Sequence, residues 1–394
     1  MRLLIVSHMP HYIRDRQIVG WGPTAQEIDY LAQFFDEVRH IAWLHPDLPP
    51  SSSLPYKGKN IHLIPVPPSG GNSLFKKINI LQRFPSYLRV INCEMEKADV
   101  IHVRAPANIS LLAMVLLAFK RRPAYRWVKY AGNWQPEIPN SWSYAFQRWW
   151  LNKNFHHGVV SINGQWKGQA KHIYSFLNPC LEEDDISWGQ RAGIDKGINL
   201  PLRLLFVGVM ATFKGGGRVL QIAKLLQQRA VPFILDMVGD GPERKEFATQ
   251  SVELGLQDQV RFHGWQPKHV LSKFYSSAHF ILLPSATEGW PKVLSEGMAY
   301  GTVPLAGAVS SIPQILRESG AGLCFPFEDT TAFANAVEMF LEYPHRWKFA
   351  SLAGMEYASR FTYHTYLESV KDMFRSAWAL DIDEPAPRTL EGPS

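Results

Sequence analysis

Strands alternating with helices in both halves of this 394-residue chain predict an α/β protein with two parallel-sheet domains. Each half offers six short apolar or β-rich segments, too many for one doubly wound sheet, with intervening segments long enough for helices. The composition, 46% hydrophobic, 12% aromatic and 19% charged, supplies apolar surface for two cores and excludes a disordered chain. Two Rossmann-like domains are the economical reading.

The expected strands of the first half are Arg2–His8, Glu37–Leu44, Ile61–Pro67, Asp99–Ala105, Ala124–Gly132 and His157–Asn163. Between the first two, Thr24–Phe35 places Ile28, Leu31, Ala32 and Phe35 on one face, the spacing of a helix. A boundary is expected in the polar stretch Leu181–Asn199, which holds EEDD at Glu182–Asp185 and glycines at 189, 193 and 197. The second half repeats the plan with Arg203–Val209, Pro232–Gly239, Gln259–Gly264, His279–Ser285, Thr302–Gly307 and Gly322–Pro326. Its clearest helix, Gly217–Arg229, aligns Val219, Ile222, Ala223 and Leu226. A last periodic segment, Tyr366–Leu380, repeats Leu367, Val370, Phe374 and Trp378, and an acidic, Pro-rich tail follows. The expected division is therefore 1–185, 186–365, a helix over 366–380 and a disordered tail over 381–394.

Charge is uneven. Residues 1–200 carry 23 Lys+Arg against 15 Asp+Glu, and the whole chain has a net charge of +6, so the excess lies in the first half. Residues 75–130 hold eleven Lys+Arg and three acids, interleaved with Phe75, Ile78, Phe84 and Tyr87. Such a segment suits an anionic membrane surface or a solvated face over the core. Nucleic acid is not expected, because no nucleic-acid motif accompanies the charge. Cys93, Cys180 and Cys324 lie far apart, giving neither a disulfide framework nor a zinc site and suiting a reducing compartment. MRLLIVSHMP reads as a first strand rather than a signal peptide, and no apolar run reaches the ~20 residues of a spanning helix. A cytoplasmic protein, peripheral at the inner face of a membrane, is expected. His8, His11, His156 and His157 lack metal-ligand spacing and read as structural or acceptor-site residues, with no metal.

Three segments of the second half put special residues after a strand, where open α/β sheets bind ligands. In FVGVMATFKGGGRVL the strand ends near Gly208, Lys214 follows, and Gly215–Gly217 open a helix. A cation, a glycine run and a helix N-terminus together suit a diphosphate, although a flexible turn with a solvated lysine reads equally well from this segment alone. In MVGDGPE a tight turn at Gly239 and Gly241 needs no ligand. In PSATEGWPKVLSEGMAYGTVPLA, Glu288 lies in a loop, Pro291 suits a first helical turn, and Glu296 follows just inside the helix. A carboxylate there can accept two hydrogen bonds from a vicinal diol such as a ribose.

This last segment resembles the E-x7-E block of family 4 retaining glycosyltransferases, with Glu288 and Glu296 as its glutamates. FVGVMATFKGG, MVGDGPER, VRFHGW and SSIPQILRESGAGL are similar to that family in order, and GWGPTAQEIDYLAQFF is similar to its glycine loop and following helix. The resemblance spans roughly residues 2–375, specific in the second half and generic in the first. It implies a GT-B fold, two Rossmann-like domains with parallel sheets facing across a cleft. The second domain would bind a nucleotide-diphosphate sugar and the first a glycan or lipid-linked acceptor, with no cofactor. Lys214 would hold the diphosphate with Gly208 and Gly215, Glu296 the ribose, and Glu288 the transferred sugar. The backbone of Gly289 and Trp290 would meet sugar or phosphate, Gly264 and Trp265 would lie beside the base, and Gly20 and Gly22 would face the phosphates. Lys214 and Glu288 are the expected catalytic pair.

The sequence departs from the family at two places. Val209 stands where an arginine commonly partners the lysine, and Lys292 is the candidate for a second charge. Gly132, Asn133 and Trp134 stand where a His-Gly pair is common, making Asn133 and Trp134 the candidate acceptor contacts. A non-catalytic GT-B binding protein and a nucleotide-sugar epimerase are the alternative readings.

Overall fold

The structure, a computed structural model, describes residues 1–69, 74–136 and 141–383, and over 74–81 the backbone alone. The tail from 384 onward and the side chains of Phe75, Lys76, Lys77 and Ile78 lie outside the described residues. The chain forms two compact units, 1–176 with 367 onward, and 177–366.

The first unit's strands are β1 (Arg2–Arg14), β2 (Gln17–Trp21), β3 (Glu37–Leu44), β4 (Ser53–Pro55), β5 (Ile61–Val66), β6 (Val100–Ala105), β7 (Tyr125–Tyr130), β8 (Val159–Asn163) and β9 (Ile173–Phe176). Seven run parallel in the order β5-β3-β1-β6-β7-β8-β9, while β2 and β4 pair antiparallel. Buried aliphatic residues such as Leu4, Val6, Ile101, Val103, Val128 and Val160 form its apolar core. The second unit holds β10 (Leu202–Val207), β11 (Phe233–Val238), β12 (Val260–Gly264), β13 (Phe280–Leu283), β14 (Val303–Gly307) and β15 (Leu323–Phe325). All six are parallel, in the order β12-β11-β10-β13-β14-β15. The order reverses at β10/β13, the switch point where such sheets open a crevice at their carboxyl ends.

Three expectations are corrected. First, β1 runs on to Arg14 and turns back into β2 through Asp15 and Arg16, both at positive φ (49° and 63°). This is the turn conformation a tight hairpin needs, built without the usual glycine. Gly20 therefore lies in a paired strand, and Gly22 opens the helix Gly22–Ala32 with its N–H on Ser52 O at 3.0 Å. Neither is in an open glycine loop. Second, the polar stretch after Leu181 is the helix Glu183–Gly193, started by a reciprocal capping box between Glu182 and Asp185. Its glycines serve packing, since a Cβ on Gly189 would sit 2.1 Å from Ala299 O. The units divide at 176/177 rather than inside this stretch. Third, β9 was not expected, because IYSF is short and follows a polar turn.

The helix Tyr363–Trp378 passes from one unit to the other, its residues from Leu367 belonging to the first. Phe374 meets Trp127 edge-on with centroids 6.2 Å apart, and Trp378 packs on Tyr125 at 5.3 Å.

Candidate functional site

At the β10/β13 switch point two loops are laced together. The first leaves β10 through a 3-10 turn, Thr212–Lys214, and enters the helix Gly216–Gln228 by way of Gly215. Gly215 has φ +88°, and a Cβ there would lie 2.2 Å from Pro284 O, so conformation and close approach both require glycine. The second loop follows β13. Ala286 N–H donates to Phe213 O at 2.8 Å, and Ser285 Oγ reaches the same carbonyl at 3.2 Å. Arg218 spans both loops, donating from Nε to Pro284 O (2.8 Å) and from Nη2 to Thr212 O (3.2 Å). With the loops so fixed, Lys214 Nζ donates to both Glu288 oxygens, at 2.7 and 2.9 Å. The two sequence-predicted catalytic residues thus meet, although 74 positions separate them.

The loop after β11 braces the lysine loop. Gly239, at φ +135°, would put a Cβ 1.9 Å from Gly208 O, and Glu243 Oε2 accepts from Thr212 Oγ1 at 2.6 Å. This is the structural role expected of the DGPE turn. Gly208 differs, since a Cβ there would meet only the Phe206 ring, at an ordinary 3.5 Å. Neighbouring protein atoms do not demand its glycine, which suits a backbone that a ligand approaches. Gly264 ends β12 at φ +69°, and Trp265 beside it is 41% exposed.

Beyond Glu288 the chain turns through Gly289 and Trp290 into the helix Lys292–Ala299, with Pro291 at its N-cap. The Gly289 and Trp290 amides find no acceptor among the described residues. The Trp290 ring is buried, stacked on Phe361 (5.2 Å, 6°), and its Nε1 donates to Ser295 Oγ at 2.7 Å. Only its backbone is therefore placed to meet a ligand. Glu296 accepts from the Tyr275 hydroxyl at 2.7 Å through Oε2 alone. Burial lifts its carboxyl above the usual range, against the opposing pull of the Tyr275 hydroxyl, Lys268 and Lys292. Lys268 is itself tied to Asp185 and to Cys180 O (3.1 Å). Lys292 thus acts electrostatically on Glu296. Val209 is 48% exposed and carries no charge beside Lys214.

Arg218, Lys268 and Tyr275 were not singled out from the sequence. For Arg218 the signal was its position directly after the glycine run; the other two lie on a helix of unremarkable spacing, Lys268–Ser277.

In the first unit, Asn133 Oδ1 accepts from Gln135 N at 3.2 Å, a local turn. Trp134 is buried edge-on against Tyr130, so it is core and offers no stacking surface. The polar constellation here lies instead at the carboxyl ends of β1, β3, β6 and β7. Buried Glu27 receives Lys129 Nζ at 2.6 Å and Arg104 Nη1 at 2.7 Å. Beside it runs a chain of neutral rings. His11 Nδ1 faces Met9 O at 3.1 Å, so that nitrogen carries the proton and Nε2 accepts from Tyr56 at 2.7 Å. The Tyr56 oxygen then accepts from His40 Nδ1 (2.9 Å), whose Nε2 accepts from Ser7 Oγ (2.7 Å). Burial pushes His11 down to about 4 and His40 and His102 well below their ordinary value, as neutral rings require. The histidines serve each other, and among the described residues no group of three or more His, Cys, Asp or Glu could hold a metal ion.

Part of the basic segment 75–130 is engaged inside the fold. Arg104 and Lys129 are spent on Glu27. Arg126 is buried and donates to Pro123 O (2.9 Å), Leu117 O (2.7 Å), His156 O (3.2 Å) and Lys120 O. Three of its eleven cations are therefore held by groups inside the fold. No helix among the described residues is long and apolar enough to cross a membrane.

Residues 196–354 match the family model described as glycosyl transferases group 1. Over 143 residues the chain is 29% identical to the amylovoran biosynthesis glycosyltransferase AmsK of Erwinia amylovora, covering 35% of each protein. The matching segments span about a third to a half of the curated relatives' lengths. Among solved structures, sucrose-phosphate synthase from Thermosynechococcus elongatus superposes with TM-score 0.70 at 16% identity, covering 95% of this chain and 98% of that one. Anabaena HepE in complex with UDP gives TM-score 0.65 at 16% identity, covering 95% and 100%. These likenesses establish the fold: two Rossmann-like units of the GT-B class.

Proposed function

We propose that this chain is a family 4 retaining glycosyltransferase that transfers a sugar from a nucleotide-diphosphate donor to a glycan or lipid-linked acceptor. The observation that carries the reading is the meeting of Lys214 and Glu288 at the switch point of the second unit's sheet. AmsK's role in amylovoran biosynthesis supports polysaccharide synthesis as the setting, and HepE's complex with UDP supports a nucleotide donor.

In this reading Lys214 and the amides of Gly289 and Trp290 stabilise the charge that develops as the nucleoside diphosphate leaves. No metal or cofactor is needed, and no general acid, because the leaving group is already activated. Gly208 and Gly215 let the backbone approach the diphosphate, and Lys292 adds charge from the helix start. Glu296, with Tyr275 on one oxygen, offers the other to the ribose diol. Glu288 contacts the transferred sugar, and Gly264 and Trp265 border the base. The first unit takes the acceptor, and the protein works in the cytoplasm at the inner face of the membrane.

A thermal-shift screen of UDP, GDP, ADP and their sugars tests this directly. Binding of one series, slow donor hydrolysis, and loss of both in Lys214→Ala are expected, the last costing about 10²–10³ in rate. Glu296→Ala should weaken binding of nucleotide and donor alike. The uncharged Val209 motivates the second reading, a non-catalytic binding protein, which absence of any nucleotide binding would favour. Interconversion of donor sugars without transfer would instead indicate an epimerase.

A further inference from the structure

We propose that one end of the first unit, where the turn after Phe119 meets the turn at Phe155, docks onto an anionic phospholipid bilayer. Residues 119–176 contain nine Lys+Arg and a single acid, Glu137, the same net excess as in 75–130 with fewer acids to offset it. The fold concentrates part of this excess. Arg126 donates at once to Leu117 O and Lys120 O of one turn and to His156 O of the other, which sets the two turns side by side. They lead into β7 and β8, so this surface lies at the amino ends of those strands, away from the polar constellation at the carboxyl ends.

Two kinds of side chain emerge there. Phe119 is 81% exposed, Trp149 48% and Phe155 38%, with the Trp149 and Phe155 rings 5.3 Å apart. Trp149 projects from the helix Trp142–Asn152, which buries only Gln147 and Leu151. The same two turns carry Arg121, Arg122 and Lys153, all exposed and none in an ion pair among the described residues; Lys120 is matched by Glu96 at 3.4 Å. Aromatic tips that prefer the headgroup boundary, flanked by unmatched cations, are complementary to a bilayer carrying anionic phosphates. An anionic bilayer takes both the rings, at its headgroup boundary, and the cations, at its phosphates. The inference does not rest on the nucleotide-sugar reading, and it narrows the basic segment 75–130 to its last part and extends it to the turn at Phe155.

The test is co-sedimentation of the full chain with vesicles of phosphatidylcholine alone and of phosphatidylcholine mixed with phosphatidylglycerol. Binding to the mixed vesicles only, weakened by salt and accompanied by a blue shift of tryptophan emission, is expected. Arg121→Glu with Arg122→Glu, and separately Trp149→Ser with Phe155→Ser, should each weaken it about tenfold or more. Arg83→Glu with Arg89→Glu should leave it unchanged. The charge reversals sit on exposed residues, so an unaltered melting temperature is expected and keeps the test valid if the aromatic pair perturbs folding. Equal binding to both vesicle types, binding undiminished in R121E/R122E, or binding to duplex RNA or DNA in place of vesicles overturns the proposal.

Discussion

Glu288 has both oxygens on the Lys214 ammonium, so an incoming diphosphate competes with a carboxylate for that cation. Glu288→Gln should therefore bind free nucleoside diphosphate more tightly, by about tenfold if the competition costs about 1.4 kcal/mol, while turnover with the nucleotide sugar falls. Calorimetric titration beside a hydrolysis assay separates the two effects, and unchanged affinity would show that the pair does not gate the site. The histidines make a second residue-scale prediction. His11 and His279 titrate near 4 and His156 near 3 because burial penalises their charged form, against an ordinary 6.5. Below pH 6.5 the unfolded chain binds protons that the folded chain refuses. The stability they confer is thus complete above 6.5 and is lost as pH falls towards 4, by roughly 3 kcal/mol for His11 alone. Urea midpoints measured from pH 7 to 4 should fall steadily; a flat profile would mean these rings charge without cost.

Among the elements, the lysine turn depends most on one residue. Gly215 combines a left-handed conformation with contact against Pro284 O, so Gly215→Ala must strain the turn or push β13's end away. A loss of at least about 1–3 kcal/mol is expected, together with weaker nucleotide binding, because Lys214 is its chain neighbour. Gly208→Ala meets only the Phe206 ring and should leave the melting temperature within about 1 °C while impairing nucleotide binding. If Gly208→Ala binds normally, no ligand approaches that backbone. Much of this level was legible beforehand. Five of the six strands of the second sheet lie within the expected segments and β10 starts one residue before its own, because parallel strands buried on both faces read as apolar runs closed by glycine. The β1–β2 hairpin was not legible, since Asp15-Arg16 carries no turn signature. The capped helix Glu183–Gly193 was hidden by acids that read as linker until their capping contacts are seen.

At the scale of the molecule, each unit buries its own core, so the two can unfold as separate cooperative transitions. The helix Tyr363–Trp378 tests this. Fully buried Phe374 packs on Trp127 within the first unit, so Phe374→Ala should cost that unit about 3–5 kcal/mol. Calorimetry should show one transition lowered, while nucleotide raises the other. A single transition moved by both would contradict independent units.

The sequence by itself determined the α/β class, the six parallel strands of the second unit, and the loops bearing Lys214 and Glu288, because glycine position, strand length and apolar runs are local properties. The order of strands, the pairing of residues 74 positions apart and the fate of each charge were decided only by tertiary structure. Arg104, Arg126 and Lys129 look in the chain like members of one basic surface. Folding buries Arg126 and Lys129 and leaves Arg104 only partly exposed, matching two with Glu27 and one with four carbonyls, since a cation taken out of water must find partners. Arg121 and Arg122, in the same run, stay exposed because their turn lies outside the sheet.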